Sequence, residues 1–282
     1  LHLNLLTMTK KITTVTTTVT TTEEVVDKKI VETHYLLILD KSGSMSSVRD
    51  TTISSFNEQV QTIRALNKQF LDQKYFLSLI SFNHNIDEVY MDVSADQAKE
   101  ITLEDYRPEG NTALLDAMGY GISRLEDKLR PEMNNSEKIV TAVVVIMTDG
   151  EENSSHEWKE NGKIKKLIER LNKDDRWTIS YVGANQDAIL NSREYGIYAA
   201  NTVNYKSTTR GTAAVSDALS NTMYMRAANI SKSAYSFAGG DIGNNAFLSD
   251  FEGNIDEDTT SQKITPPANS TTPPTASDDD KI

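Results

Sequence analysis

Tyr35-Leu36-Leu37-Ile38-Leu39-Asp40-Lys41-Ser42-Gly43-Ser44-Met45 is the run from which the architecture follows. Leu36 to Leu39 are apolar without alternation, the pattern of a strand covered on both faces in a parallel sheet between helical layers. The run stops at an acid, followed by two serines flanking a glycine. Open α/β sheets bind their ligands at such strand ends. Asp40, Ser42 and Ser44 each offer an oxygen, and Gly43 permits the tight turn that would aim all three at one point. A carboxylate with two hydroxyls suits a hard cation.

Outward from this run, strand and helix patterns alternate. Asp50 to Phe70 sets Ile53, Phe56, Val60, Ile63, Leu66 and Phe70 at three- and four-residue spacings, which predicts an amphipathic helix lying on the sheet. Its start, just behind the Ser-Gly-Ser turn, would lend positive partial charge near the site. Tyr75 to Phe82 and Ile86 to Val93 predict two strands joined by Asn83-His84-Asn85, an antiparallel hairpin at the sheet edge. Leu114 to Leu129 predicts a helix closed by Pro131 and Asn134-Asn135. Lys138 to Thr148 holds the most apolar strand and must be central, delivering Asp149 to the same edge as Asp40. A helix over Glu157 to Leu171, a strand over Trp177 to Val182, a short helix over Asp187 to Tyr195, a strand over Thr202 to Tyr205 and a closing helix over Thr212 to Ala228 complete the series. The fold class expected is α/β: a doubly wound, mostly parallel sheet with one antiparallel edge strand and helices on both faces.

Asp40-Lys41-Ser42-Gly43-Ser44 resembles the D-x-S-x-S signature of the metal-ion-dependent adhesion site (MIDAS) of von Willebrand factor A domains. That family completes the site with a threonine from a second loop and an aspartate from a third. Glu109-Gly110-Asn111-Thr112-Ala113-Leu114-Leu115-Asp116-Ala117 is similar to the threonine loop with its helix, and Ile146-Met147-Thr148-Asp149-Gly150 to the aspartate loop. The motifs stand in the family's order, and the resemblance covers roughly residues 33–228. It implies a Rossmann-like fold, a metal site of Asp40, Ser42, Ser44, Thr112 and Asp149, and an open coordination position that takes an acidic side chain from a protein partner. Partner binding would then shift Thr112 between direct and water-mediated contact and move the closing helix. Within the family, Tyr106 to Ala117 and Tyr181 to Ala188 look similar to stand-alone intracellular bacterial and phage-type members.

Two carboxylates with hydroxyls, and neither His nor Cys, favour Mg²⁺ or Mn²⁺ over Zn²⁺. Each motif alone also has a plainer explanation: Ser and Asp after a strand often cap the next helix, and Thr-Asp-Gly is a common turn. Glu151 and Glu152 are expected to be solvated rim charges, and Asp116 to secure its loop by hydrogen bonds. Gly183-Ala184-Asn185 is either a rim element or a strand-to-helix turn. His34, His84 and His156 are expected at the surface.

The 282-residue chain has a formal charge of −12, which argues against tracking nucleic acid or anionic lipid. It contains no cysteine, which excludes disulfides, thiolate zinc sites and cysteine nucleophiles and favours the cytoplasm. No apolar run is long enough to span a membrane, and Leu1 to Leu6 is too short for a signal segment. Met8 is an alternative start. Catalysis is not expected: a haloacid dehalogenase-type phosphotransferase needs a second acid where Ser42 stands, and neither G-x-S-x-G nor a phosphate-binding G-x-x-x-x-G-K-S/T occurs.

Residues 1–32 form a Thr-rich leader, expected to be flexible. Residues 33–235 form the A-type domain. Residues 236–282 carry four of the six prolines and Asp278-Asp279-Asp280, a composition expected to be disordered. The function expected is Mg²⁺-dependent recognition of a partner carboxylate. The alternatives are a domain that the ion only steadies, with its partner surface elsewhere, and a metal-dependent hydrolase.

Overall fold

The computed structural model describes residues 29–184, 188–233 and 254–255. Most of the Thr-rich leader, the Pro-rich tail and Asn185 lie outside them. The order along the chain is β1 (Ile30–Asp40), α1 (Arg49–Gln69), β2 (Gln73–Phe82), β3 (Ile86–Ser94), α2 (Leu114–Met133), β4 (Lys138–Thr148), α3 (Lys163–Leu171), β5 (Trp177–Ala184), α4 (Ala188–Glu194), β6 (Thr202–Tyr205), α5 (Thr209–Ser233) and β7 (Asn254–Ile255). The strands form one sheet in the order β3-β2-β1-β4-β5-β6-β7. Among the described residues, only the β2–β3 pairing is antiparallel. This is the doubly wound sheet with one antiparallel edge strand that the hydrophobic pattern predicts.

The unbroken apolar runs of β1 and β4 divide between two cores. Tyr35, Leu37, Leu39, Val143 and Val145 pack with residues of α1 and α5 on one face. Leu36, Ile38, Ala142, Val144 and Ile146 pack with α2 and α3 on the other. Because β1 and β4 are neighbours in register, with Leu39 opposite Met147, their carboxyl ends open side by side. Chain order runs outward in opposite directions from this pair, and that reversal makes the crevice at which such sheets hold ligands.

The two helices on the first face meet along a polar seam. The Gln59 amide donates to the Ser216 carbonyl and to the Ser216 and Ser220 hydroxyls, and the Thr62 hydroxyl donates to Ser220. These groups are buried, so each bond offsets a desolvation cost of about 1–3 kcal/mol.

Three expectations need correction. The helix after the threonine loop does not close at Pro131. It includes Pro131 in its last turn and ends two residues later, where the Asn134 side chain donates to the Arg130 carbonyl. The helix expected from Glu157 begins at Lys163, because Asn161 and Gly162 adopt positive φ and break it. His34 is not at the surface: it is buried, stacks on Phe76 at 4.5 Å and shares a 2.5 Å contact between Nδ1 and Asp92. His84 and His156 are exposed as expected.

Candidate metal centre

Asp40 ends β1 with no exposed surface, and its carboxylate is held on both oxygens. Oδ1 accepts the Ser42 amide at 2.6 Å and Oδ2 accepts the Thr148 hydroxyl at 2.6 Å. Behind it, the Tyr106 hydroxyl donates to the Asp40 carbonyl. The turn after β1 is tied to the threonine loop by two backbone bonds, Gly43 N–H to the Gly110 carbonyl and Glu109 N–H to the Lys41 carbonyl. These bonds dock the first two motifs on each other.

Thr112 is buried, and Asn153 clamps its backbone reciprocally: Thr112 N–H donates to the Asn153 side-chain oxygen and Asn153 N–H donates to the Thr112 carbonyl. Asp149, at the end of β4, meets the first motif directly, since the Ser44 hydroxyl donates to its Oδ1 at 2.6 Å. The Ser42 and Ser44 hydroxyl oxygens lie 3.1 Å apart. A Cβ placed on Gly150 would stand 2.9 Å from Thr112 Oγ1, 3.4 Å from Ser44 Oγ and 3.5 Å from Ser42 Oγ. Three hydroxyls thus converge on a space that only a glycine at position 150 leaves free, with the Asp40 and Asp149 carboxylates bordering it.

The electrostatics match that geometry. Burial pushes the Asp40 carboxyl up to about 6; hydrogen bonds from Thr148 and Ser42 oppose the rise, and the negative charge of Asp149 adds to it. The Tyr106 and Tyr205 hydroxyls are also raised, chiefly by burial and then by these same two carboxylates. A buried acid beside a half-buried one, with no cation among their hydrogen-bond partners within the described residues, leaves negative charge for which a bound cation would compensate. Among the described residues no group of three or more His, Cys, Asp or Glu could hold a metal, so the donors available here are carboxylate and hydroxyl oxygens. Oxygen donors of that kind fit Mg²⁺ or Mn²⁺.

Several neighbours carry no motif signal. Thr148 holds Asp40, Asn153 holds Thr112, and the Ser207 hydroxyl donates to Asp149 Oδ2 at 2.9 Å. Glu152 is not a solvated rim charge. Its carboxylate accepts the amides of Leu115, Ser154 and Ser155 and the Ser155 hydroxyl, capping the start of α2 and closing its own loop. Asp116 secures the same loop, as expected, by accepting the amides of His156 and Trp158 at 2.7 Å each.

Residues 35–152 match the model of the von Willebrand factor type A domain. The chain contains a von Willebrand factor type A domain. All three motif loops of the A domain fall inside that match. Among solved structures, the chain is similar to proximal thread matrix protein 1 from the mussel byssus, at 13% identity over 67% of this chain and 47% of that one, with a TM-score of 0.45. It is also similar to the ArnB paralog VWA2 from Sulfolobus acidocaldarius, at 16% identity over 65% and 44%, with a TM-score of 0.38. A third is the manganese-loaded TRAP protein of Plasmodium vivax, at 17% identity over 66% and 71%, with a TM-score of 0.41. The chain covers less than half the length of the byssal and archaeal structures. No curated protein matches it. Among the described residues, no helix of the A domain is long and apolar enough to cross a membrane.

Proposed function

We propose that the A domain binds a divalent cation, Mg²⁺ or Mn²⁺, through Asp40, Ser42, Ser44, Thr112 and Asp149, and uses it to recognise an acidic side chain on a protein partner. The observation that carries the reading is the convergence of the Ser42, Ser44 and Thr112 hydroxyls around the space beside Gly150, between two strand-end carboxylates. When bound, the cation supplies a positive point charge that can take an oxygen ligand from outside the protein. Asp40 and Asp149 would balance its charge. The three hydroxyls would add neutral donors, and Thr148, Tyr106 and Asn153 would hold those donors in place. The role proposed is recognition rather than catalysis, because the five motif oxygens are all assigned to holding the cation. A cytoplasmic location belongs to the same proposal, supported by the likeness of Tyr106 to Ala117 and Tyr181 to Ala188 to stand-alone bacterial and phage-type members.

Titration of Mg²⁺ and Mn²⁺ into protein stripped with EDTA tests the first half. Wild type binds, and Asp40→Ala and Asp149→Ala abolish the binding. Failure of wild type to bind either ion at millimolar concentration would refute it. Partner capture in Mg²⁺ against EDTA tests the second half. A partner retained in EDTA, or by Asp40→Ala, would mean that the ion only steadies the loops and that another surface recognises the partner.

A further inference from the structure

Asp149 has two oxygens with different neighbours. Oδ1 faces the hydroxyl cluster through Ser44, whereas Oδ2 accepts the Ser207 hydroxyl from the connection between β6 and α5. We propose that Ser207 is a positioning residue of the metal centre, holding Asp149 by Oδ2 so that Oδ1 stays turned towards Ser42, Ser44 and Thr112. The assignment rests on the cation-binding reading above and extends it to an element that none of the three motifs contains.

The carboxylate needs such a hold. Rotation of an aspartate about χ2 is soft and roughly two-fold, and Asp149 is only half-buried at the open end of β4. With Oδ2 fixed, one rotational state is selected before the cation arrives, which reduces the ordering cost of binding. A hydroxyl serves this purpose better than an ammonium or guanidinium, because it donates one bond and leaves the whole negative charge of Asp149 for the cation.

The segment bearing Ser207 is itself fixed on both sides. Before it, Tyr205 pairs with Ala184 in the sheet. After it, Thr208 N–H donates to the Lys206 carbonyl, and the Thr208 hydroxyl accepts Gly211 N–H in the first turn of α5. A Cβ on Gly211 would lie 2.1 Å from the Lys206 carbonyl oxygen, so the helix start is packed against this connection with no room to spare. Ser207 therefore projects from a rigid mount rather than from a free loop.

The test titrates Mg²⁺ alone into EDTA-stripped full-length protein: wild type, Ser207→Ala, Ser207→Thr and, as the null, Asp149→Ala. Loss of a bond that orients a ligand lowers metal affinity about 10–100-fold, and that is the change expected for Ser207→Ala. Ser207→Thr, which keeps the hydroxyl, restores affinity to within a few-fold of wild type, and melting in EDTA confirms that both variants are folded. Wild-type affinity in Ser207→Ala overturns this assignment alone. So does a Ser207→Thr variant as weak as Ser207→Ala, which would attribute the effect to packing. Absence of binding by wild type overturns the metal centre and this assignment with it.

Discussion

Replacing Asp40 with asparagine should stabilise the cation-free domain at neutral pH while abolishing its response to Mg²⁺. The Asp40 carboxyl rises from the ordinary 3.8 to about 6 because burial disfavours its charge. At about 1.4 kcal/mol per pH unit, the ionised form costs the cation-free fold about 3 kcal/mol at neutral pH. The sign follows from the folded value exceeding the unfolded one. The folded state keeps its proton to higher pH, so this stability is fully present below 3.8 and is lost as pH rises through about 6. Asparagine fits the same two partners: its side-chain oxygen can accept the Ser42 amide, and its NH₂ can donate to Thr148 Oγ1 once that hydroxyl turns its proton to the Gly150 carbonyl 3.1 Å away. For a domain of this size 1 kcal/mol moves Tm by about 2–4 °C, so Asp40→Asn in EDTA should melt up to about 6–12 °C above wild type near pH 7.5. The gap should close towards about pH 4 as Asp40 becomes protonated. Calorimetry across that range, with and without Mg²⁺, is the assay. An Asp40→Asn variant that melts below wild type in EDTA at neutral pH, or a gap that does not change with pH, would refute the reasoning.

Other perturbations separate the cradle from its supports. Gly150→Ala introduces a methyl 2.9 Å from Thr112 Oγ1 and should cut Mg²⁺ affinity more than about tenfold by titration; because Thr112 is β-branched, buried and clamped through its backbone, it should also cost about 1–3 kcal/mol of stability. Asp116→Ala frees the amides of His156 and Trp158, costing about 1–2 kcal/mol by urea denaturation and making the stretch from Asn153 to Gly162 a new site of limited proteolysis. Gln59→Leu removes the Gln59 bonds across the α1–α5 seam, while Thr62 still bonds Ser220 and Glu58 still bonds Ser216, and should cost about 0.5–1.5 kcal/mol in the same denaturation assay, with Mg²⁺ affinity unchanged.

What was legible in the sequence is what depends on local pattern. The apolar runs of β1 and β4 and the spacings of α1 and α2 are written in neighbouring residues, and the sheet follows from them. Asp40, Ser42, Ser44, Thr112 and Asp149 were legible as candidates because they lie in recognisable motifs, at or just after the end of β1, before α2 and after β4. What was not legible depends on partners far along the chain. Tyr106 reaches Asp40 across 66 positions and Ser207 reaches Asp149 across 58, and neither residue type signals such a role. Glu152 looks like a surface acid until the amides it caps come from α2 and its own loop. His34 looked exposed because it precedes the apolar run, yet the register sets it opposite Phe76. The helix expected at Glu157 failed for a related reason: Asp116 holds the preceding backbone in a loop, and the left-handed turn at Asn161 and Gly162 delays the first helical residue.

The packing of Trp158 has an experimental use. A Cβ on Gly119 would fall 2.0 Å from its ring, so the indole lies flat on bare backbone of α2, on the same loop that carries Asn153 to Thr112. The chain has two tryptophans, and Trp177 is sealed in the core. Trp177 is shielded from a quencher dissolved in water, so a change in iodide quenching when a cation is added reports chiefly on Trp158. Under the proposed cation binding, Trp158 is a built-in optical gauge for the loop beside the candidate site, and it needs no label.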